Sequence, residues 1–255
     1  MTGKPLAGRV ILVTRPEAQS VELSRAIGEA GGSAYAFPVL DIQPRERSVL
    51  EQEQATLPPP DIAIFVSSNA VRYGLDFLPP DGLQIAAIGP ATRAAIEAAG
   101  RTVDICPADG FDSEHLLQEP ALLDPRGKTI RIVRADSGRE LLGETLRQRG
   151  ARVDYLSSYR RLPKRMSAAA LEAFERRWLS GEIACFTAMS GESLDSFLSI
   201  LPPGCHDRLP ATPLVTPSRR VIQTAGQKIP GVQAILAPGP GAGDMVRAMI
   251  MALTA

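Results

Sequence analysis

A chain of 255 residues with 44% hydrophobic and 22% charged residues has the size of one or two packed domains and is too apolar for disorder. Its 28 basic residues balance 28 acidic ones, so the basic excess of a nucleic-acid binder is missing. No apolar run reaches the roughly 18 residues of a membrane span, and the apolar stretch before Arg15 is too short for a signal peptide, so a cytoplasmic location is expected.

Only Lys4, Lys128, Lys164 and Lys228 are lysines, so the bases are mostly arginine, the better fork for planar carboxylates. Cys106, Cys185 and Cys205 are odd in number and scattered, which argues against a disulfide frame or a zinc site. His115 and His206 lie far apart, against a histidine metal cluster or a Ser-His-Asp triad. No metal is expected.

In chain order, Val10–Val13 reads as a buried parallel strand ending at Thr14-Arg15-Pro16. A helix is expected from about Ala18 to Ala30, closed by Gly31-Gly32. Ala34–Leu40 reads as a strand that Pro38 pushes toward an edge or linker, and Glu46–Gln54 as a charged helix. Asp61–Val66 is a strand running into Ser67-Ser68-Asn69, followed by an amphipathic helix to about Phe77. Gln84–Ile88 leads into Gly89-Pro90-Ala91-Thr92-Arg93, a helix, and a strand over Thr102–Cys106.

The first pattern then returns about 119 residues on: strand Thr129–Val133, Arg134, a helix from about Gly138 to Arg149, Gly150, and a strand from Val153 toward Tyr159. The second returns about 121 residues on, with Glu182–Thr187 running into Ala188–Gly191 and a helix to about Phe197. Pro213–Val215, then Thr216-Pro217-Ser218-Arg219-Arg220, a helix and Val232–Ala237 repeat the third. Trp178 reads as a packing residue. Gly239–Gly243 lacks the Lys-Ser/Thr of a phosphate loop and reads as the entry to the last helix. The chain is an internal duplication with segment order A1-B1-A2-B2, which implies two similar α/β domains with parallel sheets.

Ligands of open parallel sheets bind at the carboxyl ends of the strands. The loops found there carry small hydroxyls beside helix starts, equipment suited to anions. Ser67, Ser68, Asn69, Thr92 and Ser218 equally suit plain helix N-caps, and six such loops on two matched domains suggest a shared ligand face.

Val13-Thr14-Arg15-Pro16, Phe65–Val71, Ile88–Thr92, Arg139–Leu142 before Gly150-Ala151, and Tyr159-Arg160-Arg161 together resemble the uroporphyrinogen-III synthase family, in its order, from about Val10 to Ala248. Two loops depart from the pattern: position 188 lacks a hydroxyl and position 216 a glycine. The resemblance implies two similar parallel-sheet, flavodoxin-like domains joined by a two-stranded extended linker. Residues 1–40 and 162–255 would form one domain and residues 41–161 the other, with linkers near 37–42 and 157–162. Pro38, Pro44 and Pro163 suit such extended linkers.

The activity implied is that of a cofactor-independent hydro-lyase. Hydroxymethylbilane would lose water and close to uroporphyrinogen III, with ring D inverted through a spiro intermediate. A monomer is expected, in transient contact with hydroxymethylbilane synthase. The substrate has eight carboxylates, for which Arg15, Arg134 and Arg139 are candidate partners, with Ser67, Ser68, Asn69, Thr92, Ser190 and Ser218 as further contacts. Loss of the hydroxyl needs a proton donor. The resemblance gives that role to Tyr159, since the family has a tyrosine in this returning linker, and a tyrosine, with an ordinary pKa of about 10, is protonated at pH 7 and can donate. Other classes stay open: a non-catalytic tetrapyrrole- or small-anion-binding protein of the same fold, an exported anion clamp, and a two-domain glycosyltransferase.

Overall fold

The structure is a computed structural model and describes residues 3–254. Its first elements are β1 (Val10–Val13), α1 (Glu17–Glu29), β2 (Ser33–Ala36), β3 (Leu40–Pro44), α2 (Arg47–Ala55), β4 (Ile62–Phe65) and α3 (Ser68–Gly74). A 3-10 turn over Leu75–Phe77 leads to β5 (Gln84–Ala87), α4 (Pro90–Ala98), α5 (Ser113–Leu116), α6 (Pro120–Leu123), β6 (Thr129–Ala135), α7 (Leu141–Gln148) and β7 (Arg152–Pro163). The chain ends with α8 (Ala168–Leu179), β8 (Ile183–Thr187), α9 (Gly191–Ile200), β9 (Leu214–Thr216), α10 (Arg219–Lys228), β10 (Ala234–Leu236) and α11 (Ala242–Thr254). Among the described residues no helix is long and apolar enough to cross a membrane. The chain forms two compact units, Met1–Asp41 with Leu162–Ala255, and Ile42–Arg161.

The first unit is built on a sheet of order β10-β9-β8-β1-β2 with parallel pairing throughout. Counted in the unit's own chain order from the β2 edge this is 2-1-3-4-5, a doubly wound order with its switch point between β1 and β8. Both faces are covered, which is why β1 and β8 are apolar runs rather than alternating ones. On one face Leu23 and Ile27 of α1 pack with Met245 and Met249 of α11. On the other, Phe37 stacks on Phe174 with ring centres 4.3 Å apart, and Trp178 and Phe197 complete an aromatic core. The Trp178 indole N–H donates to the Cys205 carbonyl at 2.9 Å, so its one polar atom is satisfied in the core.

The second unit carries a sheet of order β3-β7-β6-β4-β5, with β7, β6, β4 and β5 parallel. Leu50, Val71 and Ile96 cover one face, and Leu116, Leu122, Leu142 and Leu146 the other. The duplication is visible in the strand orders. β6, β7, β4 and β5 stand where β1, β2, β8 and β9 stand, and Ile105, bridged to Ala86, takes the place of β10. In the first unit the A half precedes the B half in the chain, and in the second it follows.

Three elements differ from the sequence expectation. The strand over Ala34–Leu40 is interrupted after Ala36, because Pro38 has no N–H to give. Thr102–Cys106 is reduced to the Ile105 bridge, where the Asp104 carboxylate accepts the Ile85 N–H at 2.7 Å and so competes with a strand carbonyl. The helix expected from Gly138 begins at Leu141, since Gly138 has φ +151 and its carbonyl accepts from Arg134.

Candidate functional site

In the second unit the switch point falls between β6 and β4, and the candidate residues lie at the carboxyl ends of its strands. Ser67 caps α3, its Oγ accepting the Ala70 N–H at 3.0 Å. The same Oγ lies 3.0 Å from the Tyr159 hydroxyl. Tyr159 is 4% exposed, its ring 6.0 Å from that of Tyr73. Ser68 Oγ donates to the Ala91 carbonyl at 3.1 Å, tying the start of α3 to that of α4. Asn69 and Thr92 keep free side-chain hydrogen-bonding groups among the described residues. Thr92 is not a cap, since Gly89 holds that place and Thr92 lies in the first turn of α4.

The two candidate arginines of this unit, Arg134 and Arg139, are already engaged. Arg134, 8% exposed, donates to the Gly138 carbonyl at 3.2 Å and pairs with Glu140 at 2.9 Å. Its guanidinium lies 4.7 Å over the Tyr155 ring. The Tyr155 hydroxyl donates to Glu140 at 2.7 Å, which holds the Glu140 carboxyl below the usual carboxylate range, helped by Arg134. Arg139 grips Glu114 with two N–H groups, and the hydrogen bond lowers the Glu114 pKa. Arg134 thus braces the loop before α7, while the exposed Arg139–Glu114 pair is open to exchange.

The first unit spends most of its carboxyl-end hydroxyls internally. Thr14 Oγ1 donates to the Thr187 carbonyl at 2.6 Å and Thr187 Oγ1 to the Leu12 carbonyl at 3.2 Å, which locks β1 to β8 at the switch point. Ser190 and Ser193 form a capping box at α9. Ser218 caps α10 and takes its own N–H bond to Thr216 Oγ1 at 3.2 Å. The Thr216 hydroxyl that replaces a glycine therefore shapes the turn. Arg15 has neither ion pair nor hydrogen bond from its guanidinium among the described residues. Burial lowers its pKa, with Glu22 opposing.

Two residues outside the sequence candidates stand out. Arg93, four residues after the Gly89 cap of α4, and Arg220, two residues after the Ser218 cap of α10, are aligned in the sequence repeat and both lie near a helix start. Both are exposed, and neither guanidinium has a partner among the described residues. A cation at a helix start works against the helix dipole by about 0.3–1 kcal/mol, so this placement favours a bound anion. The repeat alignment alone held the signal. Ser67 is among the contacts expected from the sequence, but its pairing with Tyr159 across 92 positions has no local signature.

Residues 21–247 match the family model described as uroporphyrinogen-III synthase HemD. The chain is 34% identical over 199 residues to the uroporphyrinogen-III synthase of Salmonella typhimurium, covering 75% of this chain and 80% of that one. It is 33% identical to the Escherichia coli enzyme with the same coverage. Among solved structures, a uroporphyrinogen III synthase of Thermus thermophilus, in mutant form, matches with TM-score 0.63 at 18% identity, over 96% of this chain and 99% of that one. The uroporphyrinogen-III synthetase of Helicobacter pylori gives 0.65 at 13% identity, over 94% and 97%. The fold is thus shared with these structures, and by its sequence the chain belongs to the uroporphyrinogen-III synthase family.

Proposed function

We propose that this protein is a uroporphyrinogen-III synthase that closes hydroxymethylbilane to uroporphyrinogen III, with loss of water and inversion of ring D, as a lyase without a cofactor. The observation that carries the reading is the Tyr159 hydroxyl held 3.0 Å from Ser67 Oγ at the carboxyl end of the second sheet, in a chain that belongs to this family.

The Ala70 N–H donates to Ser67 Oγ. In the proposed step the Ser67 hydroxyl donates to the Tyr159 oxygen, so that the Tyr159 O–H is available to the substrate. It gives its proton to the hydroxymethyl oxygen of the substrate as the carbon–oxygen bond breaks and water departs. The cationic methylene left on the substrate is attacked by the substituted carbon of ring D to give the spiro intermediate. The bond from that carbon to the methylene of ring C then breaks, the freed methylene bonds to the unsubstituted α-carbon of ring D, and the proton this carbon releases returns to the phenolate, so the sum is substrate to macrocycle plus water. Holding ring D near the methylene supplies much of the rate.

Ser68, Asn69 and Thr92 are proposed contacts on the second unit, and Arg15, Ser190 and Ser218 on the first, where the Arg15 guanidinium has no partner among the described residues. Arg139 would exchange Glu114 for a substrate carboxylate, and Arg134 would act through the loop it braces. The test is incubation of the protein with hydroxymethylbilane and separation of the type I and type III isomers. Type III as the enzymatic product supports the reading. Only the type I isomer of spontaneous closure would leave a binding protein of the same fold.

A further inference from the structure

We infer that Gly74 and Ser158 are positioning residues that bring the Tyr159 hydroxyl to Ser67, an inference that rests on reading Tyr159 as the proton donor. The register of β6 and β7 pairs Arg134 with Ser157 but Ala135 with Tyr159. Ser158 is the extra residue of a β-bulge. Bulges re-aim side chains, and they concentrate beside active sites.

Before the bulge β7 alternates as a strand must. Val153 and Tyr155 pack on the face of Leu142 and Leu146, and Leu156 on the face of Val71. Strict alternation would set Tyr159 on the face of Tyr155, beside Arg134 and Glu140. The extra residue reverses the parity, and Tyr159 joins Leu156 on the α3 face, where Ser67 is.

Ser158 itself is fully buried, and its Oγ has no hydrogen-bond partner among the described residues. Such an atom costs free energy and asks for a reason. Its neighbour supplies one. A Cβ added at Gly74, the last residue of α3, would lie 3.1 Å from Ser158 Oγ and 2.4 Å from Val133 Cγ1. The end of α3 therefore rests directly on the bulge and on β6, and its start carries Ser67. One close contact fixes both partners of the Ser67–Tyr159 hydrogen bond.

The test is a cycle between Gly74→Ala and Tyr159→Phe, with kcat and KM measured for type III product per folded molecule. The added methyl forces α3 off the sheet, and a misplacement on the order of 1 Å costs up to about 100-fold in rate. Gly74→Ala is expected to lower kcat by roughly 10- to 100-fold with KM unchanged. In the Tyr159→Phe background it should cost less than about twofold, because the group it misplaces is gone. Adding Val133→Ala to Gly74→Ala removes the nearest clashing methyl and should restore most of kcat. Should Gly74→Ala fail to fold, Ser158→Thr brings a methyl to the same contact from the strand side and takes its place, with the same expectation.

Undiminished kcat in the folded variant, or losses that multiply with Tyr159→Phe, would overturn the inference and leave the donor reading standing. Full kcat in Tyr159→Phe alone would overturn both.

Discussion

Replacing Ser67 by alanine separates two jobs that one oxygen performs. As the cap of α3 it accepts the Ala70 N–H at 3.0 Å, and loss of such a cap costs about 1 kcal/mol. In a unit of this size that is a drop in Tm of about 4 °C. As the partner of Tyr159 at 3.0 Å it makes a neutral hydrogen bond with a net value of about 1 kcal/mol, which corresponds to roughly fivefold in kcat. Ser67→Thr keeps the oxygen for both jobs and should lose less than about twofold by the same measure. Thermal melts and kcat for type III product, measured on the two variants side by side, give both quantities. A Ser67→Ala protein that melts lower but turns over at the wild-type rate would refute the reasoning, since the serine would then be a cap and nothing else.

Arg93→Gln and Arg220→Gln should each raise KM with little change in kcat, more at low ionic strength; KM unaffected by salt in both would remove these arginines from the binding face. Burial pushes Cys185 up to about 12 and Cys205 to about 11, while Cys106 is partly exposed. A thiol reagent on the native protein should therefore label Cys106 first, and equal rates at all three would contradict the packing. Phe174→Ala removes a ring stacked on Phe37 and next to Trp178, a loss of about 3–5 kcal/mol read from the fluorescence of the single tryptophan. The Glu114 pKa lies below the ordinary carboxylate range through its hydrogen bond to Arg139. Its contribution to stability is thus present above about pH 4.3 and lost as acid protonates it. Stability should fall less steeply in acid in Glu114→Gln, and an identical slope would show the exposed pair to be without effect.

The architecture was legible because its signals are local. Val10–Val13, Ile62–Phe65 and Ile183–Thr187 are apolar runs closed by polar loops, and their recurrence exposes the duplication. What was hidden depends on which way side chains turn and on partners distant in sequence. No pattern near Arg134 reveals that Glu140 and the carbonyls of Ala135, Gly138 and Arg139 occupy its guanidinium. Nothing near Thr102–Cys106 shows the Asp104 carboxylate taking the Ile85 N–H. Tyr159 is the sharpest case. Its residue type and place were readable, yet its direction was not, because period-2 alternation along β7 points it to the wrong face and only the bulge at Ser158 corrects it. Arg93 and Arg220 were visible in the aligned loops, but their free charge emerges only when every neighbouring carboxylate has been placed.

The account turns on Tyr159 as the group that protonates the departing hydroxyl, and kcat of Tyr159→Phe for type III product tests this most directly. The substitution keeps the buried ring and removes one oxygen, so the fold and the packing on Tyr73 should persist. General-acid contributions are typically about 10²–10⁴-fold, so kcat should fall within that range while KM, set by carboxylate contacts, stays near its wild-type value. Retention of more than about a third of wild-type kcat, far above what loss of a general acid allows, would contradict the account and pass the role to a bound water or to another hydroxyl, with Thr92 the next to test.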